Sequence, residues 1–133
     1  MSPLSLAAVT PLYAAALGVL FVLLSVRVIV ARRSRRLGFG AGGDPGMEPR
    51  IRIHANFAEY VPLALILLFM AESLGANALW LHLLGGSLLA GRLAHAILLS
   101  FESTDDLGRI LGMTGSQFAI LGGAVLTMLE LPG

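Results

Sequence analysis

Residues 110–129 run for two full tens without one charged side chain. Three other stretches, residues 4–30, 53–72 and 78–100, are almost as apolar and of similar length. A bilayer is crossed by a helix of about 20 predominantly apolar residues. In lipid, backbone amides must be satisfied within their own segment, so each stretch reads as a transmembrane helix. The expected fold class is therefore an all-α membrane protein, a four-transmembrane-helix bundle forming one domain over residues 1–133. Composition agrees. The chain of 133 residues is 56% hydrophobic and 13% charged, with a mean hydropathy of +0.84, whereas soluble domains carry about 25% charged residues. The first span does not read as a signal peptide, because it is long and its basic cluster follows the apolar run.

Charge placement suggests an orientation. Arg32, Arg33, Arg35, Arg36, Arg50 and Arg52 surround the first loop, the second loop has no basic residue, and Arg109 follows the third. The positive-inside rule then puts the first and third loops in the cytoplasm and both termini outside. Tyr13 and Trp80 fall near the outer interface, and Glu72 and Glu130 at outer helix ends are expected to be solvated. The chain has no cysteine, so a sulfur nucleophile would have to come with a substrate. No metal-ligand pattern and no nucleic-acid signature is present. Residues 37–47 form a Gly-rich loop, and Ser103 with Asp106 is a candidate capping group for the fourth helix. Small residues at four-residue spacing, Ser87 and Gly91 in the third span and Gly115, Ala119 and Gly123 in the fourth, allow close helix approach within one chain or between chains.

Function concentrates in R-I-H-A-N-F-A-E-Y-V-P, residues 52–62. Arg52, Asn56 and Glu59 recur at offsets of four and seven, which places them on one narrow face of a helix. Such a face is costly in lipid and is expected to look into a bundle or a wet cavity. Arg92 and His95 in the third span and Arg109 at the start of the fourth fall at the same membrane level. Guanidinium forks gathered in this way suit a small anion bearing carboxylates. Bland alternatives accompany each residue: Arg27 can snorkel, Arg35 and Arg36 can be topology signals, Glu59 can be an ion-pair partner of Arg52 or Arg92, His95 can be a bundle hydrogen-bonder, and His82 reads as structural.

The pattern R-x3-N-x2-E-Y-x-P at residues 52–62 resembles the second-helix signature of the MAPEG family, the membrane-associated proteins of eicosanoid and glutathione metabolism, and its bacterial branch in particular. A-R-R at residues 31–33 and R-L-A-H-A at residues 92–96 extend the resemblance over nearly the whole chain. It implies a MAPEG-like homotrimer in the bacterial inner membrane, with glutathione as co-substrate between neighbouring copies near the cytosolic face. It further implies that Ser25, Arg32, Arg52, Asn56, Glu59, Tyr60, Arg92 and His95 line the glutathione site, with Glu59 facing the ligand's ammonium group. Arg33 and Arg109 would hold the thiolate for catalysis. Membrane lipids and a lipophilic small-molecule substrate are the other implied partners. The sequence departs from eukaryotic members on the third helix, where their tyrosines correspond to His95 and Leu99. Two rival functions are a non-catalytic trimer that binds an anionic lipid or another anion, and a small proton-coupled exporter.

Overall fold

The computed structural model describes residues 9–98 and 106–133. Four helices follow in order: α1 (Val9–Arg35), α2 (Met47–Ser73), α3 (Ala78–Leu98) and α4 (Asp106–Leu129). All four are long and apolar enough to cross a membrane, and there is no strand among the described residues. Leu12, Val19, Val22 and Val26 stay exposed along α1, as a lipid-facing surface requires.

The helices overrun the apolar stretches that mark them. α1 continues past residue 30 to Arg35, where Arg36 turns with φ 54°. The Leu37 N–H closes back on the Arg32 carbonyl at 2.9 Å, which satisfies an end carbonyl of the helix. α2 starts six residues before residue 53. Asp44 prepares that start, since its carboxylate accepts the Gly46 N–H at 2.7 Å and its carbonyl accepts the Met47 N–H at 3.1 Å. Pro49 falls in the first turn, where a missing N–H costs nothing. At the other end, Gly75 (φ 102°) reverses the chain and lets the Ala76 N–H reach the Ala71 carbonyl at 3.0 Å. Asn77 then caps α3 by accepting the Leu79 N–H at 2.8 Å. The capping group expected around Ser103 lies outside the described residues. Pro62 sits inside α2, which continues through it.

Small residues decide the closest contact, between α3 and α4. A Cβ on Gly115 would lie 2.6 Å from the Ser87 carbonyl oxygen, and one on Gly91 would lie 2.9 Å from that of Leu111. The four-residue row is thus used inside the chain. Further along α4, Gly123 faces Leu67 of α2, and the Thr127 hydroxyl donates to the Leu67 carbonyl at 3.2 Å.

The expectation for Glu72 is corrected. Its side chain is 5% exposed, and its carboxylate accepts the backbone N–H groups of Val9 and Thr10 at 2.6 and 2.7 Å. The first amides of a helix have no intrahelical acceptor, and a carboxylate from another helix fills that need. His82 does serve structure, as its Nδ1 pairs with the Tyr13 hydroxyl at 2.9 Å.

Candidate functional site

The core face of α2 is set by Ile53, Phe57, Val61, Ala64 and Leu68, all buried. Arg52 and Glu59 sit on the far side of the helix from that stripe and are exposed. The polar row is expected to look into a bundle or a wet cavity, and within the single chain only its flank packs inward. Asn56, about 40–60° around the helix from Arg52 and Glu59, and Tyr60, about 80–100° around, lie nearer the core and are half-buried. The stripe therefore runs from the exposed side of α2 to the edge of its core face. The physical reason is that five apolar groups, four of them branched or aromatic, outweigh three polar ones in setting which face turns inward.

The half facing inward meets Arg92. That side chain is 1% exposed and sits in a nest of neutral acceptors. Its Nη1 donates to the Asn56 side-chain oxygen at 2.6 Å, its Nε to the Ser116 hydroxyl at 2.7 Å, and its Nη2 to the Gly112 carbonyl at 3.1 Å and again to Ser116. The guanidinium carbon lies 5.9 Å from the centre of the Tyr60 ring, within cation–π range. The Asn56 amide in turn donates to the Met113 sulfur at 3.3 Å. Among the described residues, no carboxylate pairs with Arg92. Arg92 is thus not a free fork waiting for a ligand; its donors are already directed at α2 and α4. His95, 4% exposed, packs one turn further along against Gly112, where a Cβ would approach its own Cβ to 2.6 Å. Both Arg92 and Arg109 act on it electrostatically.

The remaining candidates form an outer set. Arg33 and Arg109 are exposed, and Ser25 is half-buried. Arg32 is half-buried, with Nη1 donating to the Gly40 carbonyl at 2.6 Å, so it organises the Gly-rich loop. Glu59 forms no ion pair with Arg52 or Arg92 among the described residues. Arg35 pairs with Asp44. The Asp44 carboxyl is held below the ordinary aspartate range, chiefly by the Gly46 N–H and then by the Arg35 guanidinium. In the single chain Arg33, Arg52, Glu59 and Arg109 are spread over exposed surfaces of α1, α2 and α4. Two apolar clefts lie between α1 and α2. One of about 290 Å³ is lined by Ala14, Phe21, Phe57 and Pro62, and a second of about 400 Å³ continues from it past the shared Ala14 and Leu65.

Sequence reasoning passed over Ser116 and Met113. Neither is charged, and only their proximity to Arg92 and Asn56 gives them a role. A weak signal existed in Gly112 and Ser116 standing four residues apart, one turn of the same face. No group of three or more potential metal ligands occurs among the described residues.

The fold defines a four-span membrane protein, with Arg92 held inside its bundle by Asn56, Ser116 and Gly112. The chain belongs to the MAPEG family, whose sequence model matches residues 10–129. It is similar to Inner membrane protein YecN of Escherichia coli strain K12 and to the protein of that name in Escherichia coli O6:H1. Each is 39% identical over 87 residues, which cover 65% of this chain and 66% of the relative.

Proposed function

We propose that the chain is an inner-membrane glutathione transferase or peroxidase whose site is completed between neighbouring copies of a homotrimer. The observation that carries this reading is the outward turn of Arg52 and Glu59. Glu59 stands 12 residues into α2, about 18 Å along it at 1.5 Å per residue, on a surface that a single chain would give to lipid. Charged groups within spans face a bundle interior or a wet cavity. A second copy against this face satisfies that rule and gathers the family's ligand-binding residues around one volume.

In that volume Arg32 and Arg52 bind the carboxylates of glutathione, Glu59 its ammonium group, and Asn56 and Tyr60 its backbone. Arg33 and Arg109 face the sulfur. A thiol with a pKa near 8.5 is only slightly ionised at neutral pH, and the thiolate is the nucleophile. A close guanidinium lowers such a pKa by about 1–3 units. The thiolate then attacks a lipophilic electrophile, forming a C–S bond and expelling the leaving group. With a hydroperoxide, two glutathione molecules give the alcohol, water and the disulfide. The apolar α1–α2 clefts offer the electrophile a path from the bilayer.

A second reading, an anion-binding trimer without catalysis, is favoured by His95. It stands where eukaryotic members have a tyrosine, and it is buried rather than turned toward a ligand. The ultraviolet thiolate difference spectrum of glutathione with the detergent-solubilised protein separates the two. A saturable thiolate signal, lost in Arg33→Ala or Arg109→Ala, is the result expected of the enzyme. Binding without thiolate supports the second reading, and a confirmed trimer that binds no glutathione sinks the glutathione reading.

A further inference from the structure

Ser116 is completely buried on α4 and reaches no ligand-facing surface, yet it is the seat of Arg92. Its hydroxyl donates to the Gly112 carbonyl at 2.9 Å. With its proton committed one turn back, its oxygen is free to accept from both Nε and Nη2 of Arg92. The Gly112 carbonyl accepts from Nη2 as well. A guanidinium is planar and rigid, so fixing two of its nitrogens fixes the third. That third nitrogen, Nη1, is the one directed at the Asn56 oxygen. Asn56 is held in one amide orientation as a consequence, with its nitrogen toward Met113.

We propose that Ser116, together with the Gly112 carbonyl, is a positioning residue of the anion site, acting through Arg92 to set the side chain of Asn56 and the surroundings of the Tyr60 ring. The inference rests on the reading of Asn56 and Tyr60 as ligand contacts. It assigns α4 a part in the site that no charged residue of that helix supplies. Its basis is a continuous chain of bonds from Gly112 through Ser116 and Arg92 to Asn56, linking α4, α3 and α2 at one level. Buried networks of this kind hold rotamers tightly when every member is satisfied and loosen when one is removed. Ser116→Ala removes the shared acceptor and leaves the Nε proton without a partner. The guanidinium then shifts toward another acceptor or water, and Asn56 loses its fixed partner.

Two readouts test this. The chain has asparagine only at positions 56 and 77 and glutamine only at 117, so its side-chain amide nuclear magnetic resonance signals are three pairs. Asn56→Ala identifies the relevant pair by deletion. In Ser116→Ala the Asn56 pair should shift and broaden while the Asn77 pair stays in place, and Ser116→Thr, which keeps the hydroxyl, should restore it. The second readout is glutathione affinity by calorimetry in detergent. Ser116→Ala should weaken it about tenfold, and the double variant with Asn56→Ala should bind no more weakly than Asn56→Ala alone, since both changes cut one chain. If Ser116→Ala does not fold, Ser116→Cys takes its place, with similar volume and a far weaker acceptor. An unmoved Asn56 pair, or fully additive losses, overturns the proposal, even if the variant melts at a lower temperature. Failure of the wild-type protein to bind glutathione would count against the glutathione reading alone, because the amide signals decide the positioning claim without ligand.

Discussion

The Glu72 carboxylate on α2 accepts the backbone N–H of Thr10 on α1 at 2.7 Å, and so ties the end of one span to the beginning of another. The same carboxylate takes the Val9 N–H at 2.6 Å. Hydrogen bonds to a charged group contribute about 1.5–3 kcal/mol each. Glu72→Ala is expected to cost about 2–3 kcal/mol in a denaturation series in detergent. Glu72→Gln, which keeps one acceptor oxygen, should cost roughly half of that. Equal stability of Glu72→Ala and wild type would show that water replaces the carboxylate at no loss.

Two glycines, Gly115 at the α3–α4 contact and Gly86 facing Tyr13 of α1, give predictions of opposite sign. At Gly115 a methyl group meets a backbone carbonyl at 2.6 Å, and backbone cannot rotate away. Gly115→Ala should destabilise by about 1–3 kcal/mol, the usual cost of overpacking. At Gly86 the nearest atom to a new Cβ is the Tyr13 hydroxyl oxygen at 3.8 Å, an ordinary contact. Gly86→Ala should stabilise by up to about 1 kcal/mol through helix propensity. Parallel melting curves check both, and matched shifts would contradict the packing argument.

Acid should loosen the first loop. The folded Asp44 carboxyl titrates below its unfolded value because the Gly46 N–H and then Arg35 favour its charged form. The sign follows: this contribution is complete above the unfolded aspartate value, near 3.9, and is lost as pH falls through the lower folded value. The Gly46 amide resonance should therefore move only below about pH 3.9. In Arg35→Ala the midpoint should rise. A wild-type midpoint at or above the ordinary value would refute the account.

Glu59→Leu distinguishes a neighbour from lipid on the outer face of α2. A charge at the centre of a span costs about 2.5–3.5 kcal/mol on insertion scales, so a lipid-facing carboxylate would be improved by this change. A carboxylate seated between copies and holding an ammonium group would not. The expected result is weaker glutathione binding with no rise in melting temperature, alongside a trimer of the wild-type protein by native mass spectrometry. A hotter-melting variant of a monomeric protein would sink the intersubunit reading.

Some of the site was legible before any coordinates and some was not. Asn56 stood out because polar groups at helical spacing interrupt an apolar run, Tyr60 through the family resemblance, and both do meet Arg92. Which side of α2 the rest of the stripe faces was not legible. Arg52 precedes Asn56 by four residues and Glu59 follows it by three, but the inward direction is set by Ile53, Phe57, Val61, Ala64 and Leu68 against three other helices. Glu72 misled for a related reason. A carboxylate at a helix end is solvated unless another helix presents unpaired amides to it, and those belong to residues more than 60 positions away.

The sequence by itself determined that this chain crosses the membrane four times, because lipid admits apolar helices and little else at that length. It also determined the small-residue row of α4. Tertiary structure alone decided that Arg92 is sealed on Ser116, Gly112 and Asn56, that Glu72 caps α1, and that Arg52 and Glu59 turn outward. Each of these depends on which donor meets which acceptor across helices, and spacing along one helix carries no information about its neighbour's register.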